Sequence, residues 1–146
     1  MIRVIVVALA VFLLVGRASA HIGLLVREAP AGSFYKATFT VPHGCDGSAT
    51  VQLAVHIPEG VTSVKPQPKP GWEVATVKEG DAVREVSWRG RLDDAFYDEF
   101  VVLVHLPPTP DVTLSFPVLQ TCERGEARWA PTLRLMPGAE AEHHHH

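Results

Sequence analysis

Apolar and polar residues alternate with a period of two along most of the chain after residue 20. Tyr35, Ala37, Phe39 and Val41 alternate with Lys36, Thr38 and Thr40, and Val51, Leu53, Val55 and Ile57 alternate with Gln52, Ala54 and His56. Successive side chains on a strand point to opposite faces, so both runs read as half-buried antiparallel strands. Six further segments fit the same description: Ile22 to Arg27, Gly71 to Val77, Ala82 to Trp88, Phe100 to Leu106, Val112 to Val118 and Ala127 to Leu133, set apart by Pro, Gly and Asp. About eight short strands predict an all-β antiparallel sandwich. Helix should be nearly absent, because no stretch carries a persuasive 3.6-residue stripe and the nearest, Leu92 to Phe100, is short and acid-rich. Pro66, Pro68 and Pro70 cannot donate to a ladder, which predicts an extended, polyproline-like crossover between sheets.

The first twenty residues follow a different rule. Arg3 precedes an unbroken apolar run from Val4 to Val15, and Ala18-Ser19-Ala20 has the small-residue form of a cleavage site. This is the pattern of a secretory signal peptide, 1–20, and the run is too short for a span that needs about twenty residues. The expected mature chain begins at His21, has no transmembrane anchor and works in the periplasm or outside the cell. A domain over 21–136 and a disordered tail over 137–146 complete the organisation. The run His143 to His146 reads either as a native metal-capturing tail or as the remnant of a purification tag.

Composition narrows the function. The chain has 146 residues, 47% hydrophobic and 20% charged, which suits one compact domain. Removing 1–20 takes two of the 13 basic residues and none of the 16 acidic ones, leaving a formal charge of about −5. A nucleic-acid-binding surface is excluded on that balance. The sequence has no Gly-rich phosphate loop, no G-x-S-x-G and no H-E-x-x-H, so familiar hydrolase and nucleotide chemistry has no support. Cys45 and Cys122 form an even pair in an oxidising compartment and read as one disulfide, worth about 4 kcal/mol in the chain-entropy treatment of so long a loop. A thiolate metal site is the weaker alternative, since there is no C-x-x-C.

His21 carries the most specific chemistry. At a free N-terminus, a histidine offers its α-amine and its imidazole Nδ1 to one ion. These groups titrate near pH 7.7–8.0 and near pH 6.5 respectively, so both are available as donors around neutrality. Nitrogen donors in a tetragonal arrangement favour Cu(II). From this residue alone, a frayed terminal histidine that binds nothing stays open.

A set of short segments adds to this reading: His21, Glu28-Ala29-Pro30-Ala31-Gly32-Ser33, Val41-Pro42-His43-Gly44-Cys45, Ile57-Pro58-Glu59-Gly60-Val61, Lys69-Pro70-Gly71-Trp72, Asp98-Glu99-Phe100 and Arg128-Trp129. In that order they resemble the YcnI-like copper-binding domain family over essentially all of 21–136. The resemblance implies an immunoglobulin/fibronectin-like sandwich holding Cu(II) in a brace built on one N-terminal histidine and completed by an acidic side chain and a tryptophan. Carried over, His21 is the brace histidine, Trp129 the tryptophan and Glu99 the acid, with Asp98 and Glu28 competing for the last role. The chain departs from the family pattern at Gly23 and at Leu24 to Arg27, which puts the register there in question.

The implied role is copper capture, buffering or handover to another copper-trafficking protein, without catalysis. A copper-dependent redox enzyme and a metal-free adhesion or interaction module are the alternatives. His56 and His105 are expected on the surface, His43 is explained by its Pro-His-Gly-Cys turn, and Trp72 and Trp88 are expected in the core or at its rim. Phe96 and Tyr97 are candidates for a site wall beside Glu99. Once Met1 leaves with the leader, Met136 alone cannot make a methionine-rich Cu(I) site.

Overall fold

The computed structural model of the protein describes residues 21–138. The expected signal peptide and the tail from residue 139 onward lie outside the described residues. The described residues contain strands β1 (Gly23–Leu24), β2 (Glu28–Pro30), β3 (Phe34–Val41), β4 (Thr50–His56), β5 (Thr62–Pro66), β6 (Glu73–Glu79), β7 (Ala82–Leu92), β8 (Asp98–His105), β9 (Thr113–Ser115), β10 (Val118–Cys122), β11 (Glu126–Trp129) and β12 (Thr132–Met136), and no helix. They build a four-stranded sheet in the order β1-β3-β8-β5, a five-stranded sheet in the order β11-β10-β4-β7-β6, and a three-stranded sheet in the order β2-β12-β9.

The alternation seen in the sequence decides which face each strand buries. In the β3–β8 pair, Tyr35, Ala37 and Phe39 stand opposite Val104, Val102 and Phe100, and all six are buried. From the five-stranded sheet, Leu53 and Val55 of β4 pair with Trp88 and Val86 of β7, again all buried. Phe116, Leu133 and Leu135 join this core from the third sheet and its approach. The Phe39 and Phe116 rings meet edge to face at 5.9 Å, and Trp72 and Trp88 both pack on Phe100. Trp72 lies flat over Gly90, where a Cβ would come within 2.3 Å of its ring, so only glycine fits.

The fold class is as expected, but the strands are twelve and not about eight. Two predicted strands are each cut in two by a proline that cannot donate: Pro117 separates β9 from β10, and Pro131 separates β11 from β12. Each cut moves the chain from one sheet to another. The segment Ile22 to Arg27 gives only β1, after which β2 runs parallel to β12, where antiparallel pairing was expected throughout. The register questioned at Gly23 is Gly23 opposite Thr40 and Leu24 opposite Phe39, with Ile22 and Leu24 buried. The proline run is not purely a crossover. Pro66 ends edge strand β5 opposite Val102, and Gln67 N–H still donates to Val101 O at 2.8 Å. An edge strand tolerates the missing donor because one side of its ladder is unused.

Candidate functional site

The site is organised from the disulfide outward. Cys45 and Cys122 are bonded, with their Cα atoms 5.9 Å apart, and tie the Pro42-His43-Gly44 turn to the end of β10. A Cβ on Gly44 would stand 1.8 Å from Ser48 O, so the turn closes only around glycine. Gly44 N–H donates to Asp94 Oδ1 at 2.8 Å, which fixes the turn against the loop that leads to β8.

Two residues before the cystine, Gln120 occupies the inward phase of β10 with Val118 and Cys122, and it is completely buried. A buried amide needs partners, and Gln120 has three. Its Nε2 donates to His43 O at 2.8 Å and to Thr50 Oγ1 at 2.9 Å, and its Oε1 accepts from Trp129 Nε1–H at 3.0 Å. The Trp129 indole is thereby held at the end of β11, with its ring 5.0 Å from the ring of His21 and 6.5 Å from that of His43. His43 Nδ1–H donates to Gly44 O at 2.7 Å. His21 is exposed and opens onto a cavity of about 540 Å³ shared with Gly23, Arg27, Arg128, Trp129 and Thr132.

Glu99 does not line that cavity. It stands two strands away from β1 in the same sheet, in the row Gly23, Thr40, Glu99 that crosses β1, β3 and β8. Thr40 Oγ1–H donates to Gly23 O at 3.3 Å along this row. Tyr97 O–H donates to Glu99 Oε1 at 2.9 Å, so the expected neighbour of Glu99 is in place. Desolvation, then the hydrogen bond and the charge of Glu99, then the charge of Asp98 push the Tyr97 pKa up, and the phenol stays a donor.

The two competing carboxylates are placed differently. Asp98 Oδ1 accepts from Lys69 Nζ at 2.9 Å and from Glu99 N–H at 2.8 Å. Glu28 is exposed on β2, beside Arg134 in the third sheet. Among the described residues, no three His, Cys, Asp or Glu side chains gather closely enough to hold a metal. His56 is exposed and His105 lies outward against Phe34, with ring centroids 4.9 Å apart.

The structure thus brings His21 and Trp129 together and sets Glu99 on a neighbouring row. Sequence reading assigned His43 only a turn and passed over Gln120. The signal for Gln120 was present, since a glutamine between Val118 and Cys122 on an inward phase is a buried polar group that needs a purpose. For His43 no local signal exists, because its approach to Trp129 is made through the cystine and Gln120.

These features define an immunoglobulin-like all-β domain with an exposed histidine and a tethered tryptophan at one end of the sandwich. Residues 21–145 match the family model described as "Domain of unknown function (DUF1775)". The chain belongs to this family, the YcnI-like family that its motifs resemble. It is 29% identical over 93 residues to "Copper-binding protein CutI" of Bacillus subtilis (strain 168), an alignment covering 62% of this chain and 45% of that protein. The chain therefore spans less than half the length of that curated relative. Among solved structures it is similar to an uncharacterized protein from Nocardia farcinica whose crystal structure reveals an immunoglobulin-like fold, with 27% identity and a TM-score of 0.67 over 80% of this chain and 98% of that one.

Proposed function

We propose that the protein is an extracytoplasmic copper-binding protein that captures, buffers or hands over Cu(II), and that His21 holds the ion once residues 1–20 are removed. Cleavage turns the His21 amide into an α-amine, so one residue supplies two nitrogen donors. The observation that carries this reading is the His21 ring 5.0 Å from a Trp129 indole whose N–H is already committed to Gln120. Held this way, the indole is a fixed wall that shields one side of the imidazole from water.

Glu99 is the acid in this reading. Asp98 is engaged by a lysine, and Glu28 belongs to another sheet, whereas the partner of Glu99 is a neutral phenol. A carboxylate there offsets part of the charge of the ion. Copper as the metal is supported by the likeness to the copper-binding protein of Bacillus subtilis. Binding rather than turnover is the role proposed, with another copper-trafficking protein as the partner for handover.

Copper titration of protein beginning at His21 and lacking 139–146, followed by electron spin resonance, tests the proposal. One equivalent of Cu(II) with nitrogen hyperfine structure is expected. Lack of saturable binding would leave a metal-free interaction module. Peroxide production under reductant well above that of free copper would favour the redox enzyme.

A further inference from the structure

The far end of the sandwich carries a second cavity, of about 490 Å³, between β5 and the β6–β7 hairpin. Its place follows from the register of β8. Glu99 lies in the row of Gly23, whereas His105 at the other end of β8 pairs with Thr62 of β5. Six residues of strand separate the two rows, about 20 Å, so this cavity is distinct from the one at His21.

Arg84 is its central residue. Arg84 sits on β7 in phase with Val86 and Trp88, which are fully buried, so its side chain enters between the sheets. Its Nη1 is buried and has no hydrogen-bond partner. A buried guanidinium nitrogen is costly unless an acceptor reaches it. Lys65 from β5 and Lys78 from β6 line the same cavity, and Asp81 in the hairpin is the one carboxylate among the lining residues. Among the described residues none of these four charged groups forms an ion pair. The lining therefore carries three positive charges against one negative, in a chain whose overall charge is negative. Thr62 and Ser63 add hydroxyls, and Val61, Val64 and Val83 add an apolar wall.

We propose that this cavity binds a phosphate group. A doubly charged oxyanion balances the net charge of the lining, and its several oxygens suit three cations arriving from three different strands. Arg84 Nη1 donates from inside, where the planar guanidinium fixes orientation, and the two lysines close over the group as mobile point charges. The apolar wall leaves room for an organic substituent, so the group is either free phosphate or the phosphate end of a larger ester.

Calorimetric titration of the metal-free protein at pH 8 and constant ionic strength, with inorganic phosphate and separately with glycerol 3-phosphate, tests this. Saturable binding with one site is expected, and tighter binding of the ester would identify the larger ligand. Arg84→Gln should weaken binding by about tenfold or more, the usual scale of a lost charge-assisted hydrogen bond, while His21→Ala should bind as wild type. If Arg84→Gln does not fold, the double variant Lys65→Gln/Lys78→Gln, which changes exposed side chains only, should show a loss of similar size. Absence of saturable binding to both probes would overturn the proposal. So would wild-type affinity in folded Arg84→Gln, or in the double lysine variant.

Discussion

Replacing Gln120 by leucine isolates the network that holds Trp129. Leucine keeps the bulk and the apolar contacts of the site but removes one acceptor and two donors. Trp129 Nε1–H, His43 O and Thr50 Oγ1, now at 3.0, 2.8 and 2.9 Å from the amide, would each lose that partner. A typical hydrogen bond contributes about 0.5–1.5 kcal/mol net, and a buried group left without a partner costs about 1–3 kcal/mol. Removing the desolvated amide itself returns part of this, and the turn at His43 can relax toward water. A loss of about 2–4 kcal/mol is therefore expected. Urea unfolding monitored by circular dichroism, with the disulfide intact, measures it as a lower midpoint at unchanged slope. A double-mutant cycle with Trp129→Phe should show coupling of about 1 kcal/mol, because the bond that the second change removes is already gone. A loss below about 0.5 kcal/mol, or strict additivity in the cycle, would refute the view that Gln120 tethers the indole.

Changing Cys45 and Cys122 together to serine should cost about 2–5 kcal/mol in the same assay, and release the His43 turn from β10 without changing copper stoichiometry. Burial raises the Tyr35 pKa from 10.0 to about 12. The folded state thus keeps its proton above pH 10, and the stability owed to the neutral phenol is present below that pH and lost as pH rises toward 12, by about 2–3 kcal/mol. Tyr35→Phe should flatten that alkaline slope in pH-dependent unfolding and cost about 1 kcal/mol near neutrality, where the Val26 carbonyl loses its donor. Glu99→Gln should weaken Cu(II) binding at pH 7 while Asp98→Asn and Glu28→Gln bind as wild type, as read by competition with a chelating indicator. The reverse pattern would move the acidic ligand and leave His21 in place.

Much of the sandwich was legible because period-two alternation directly reports which side chains a strand buries. Tyr35 to Val41, Thr50 to Ile57 and Phe100 to Leu106 all appear as strands with their apolar phases inward. Alternation does not say which sheet a strand joins. Hence the switches at Pro117 and Pro131, and the parallel pairing of Glu28–Pro30 with β12, were visible only in three dimensions. The same limit applies at the site. His21 and Trp129 were identified by residue type and resemblance, and they meet. Gln120 and His43 join them through contacts 9 and 77 residues apart in sequence, which no local pattern encodes.

The most direct measurement compares Cu(II) affinity for protein starting at His21 with that for protein carrying one additional residue before it, both without the C-terminal histidines. The extra residue turns the α-amine into an amide and removes one of two nitrogen donors from the same side chain and terminus, leaving the fold untouched. Severe weakening of the extended form, with loss of one nitrogen from the spin-resonance spectrum, is the expected result. Equal affinity and an unchanged spectrum would contradict a copper site built on the N-terminus of His21.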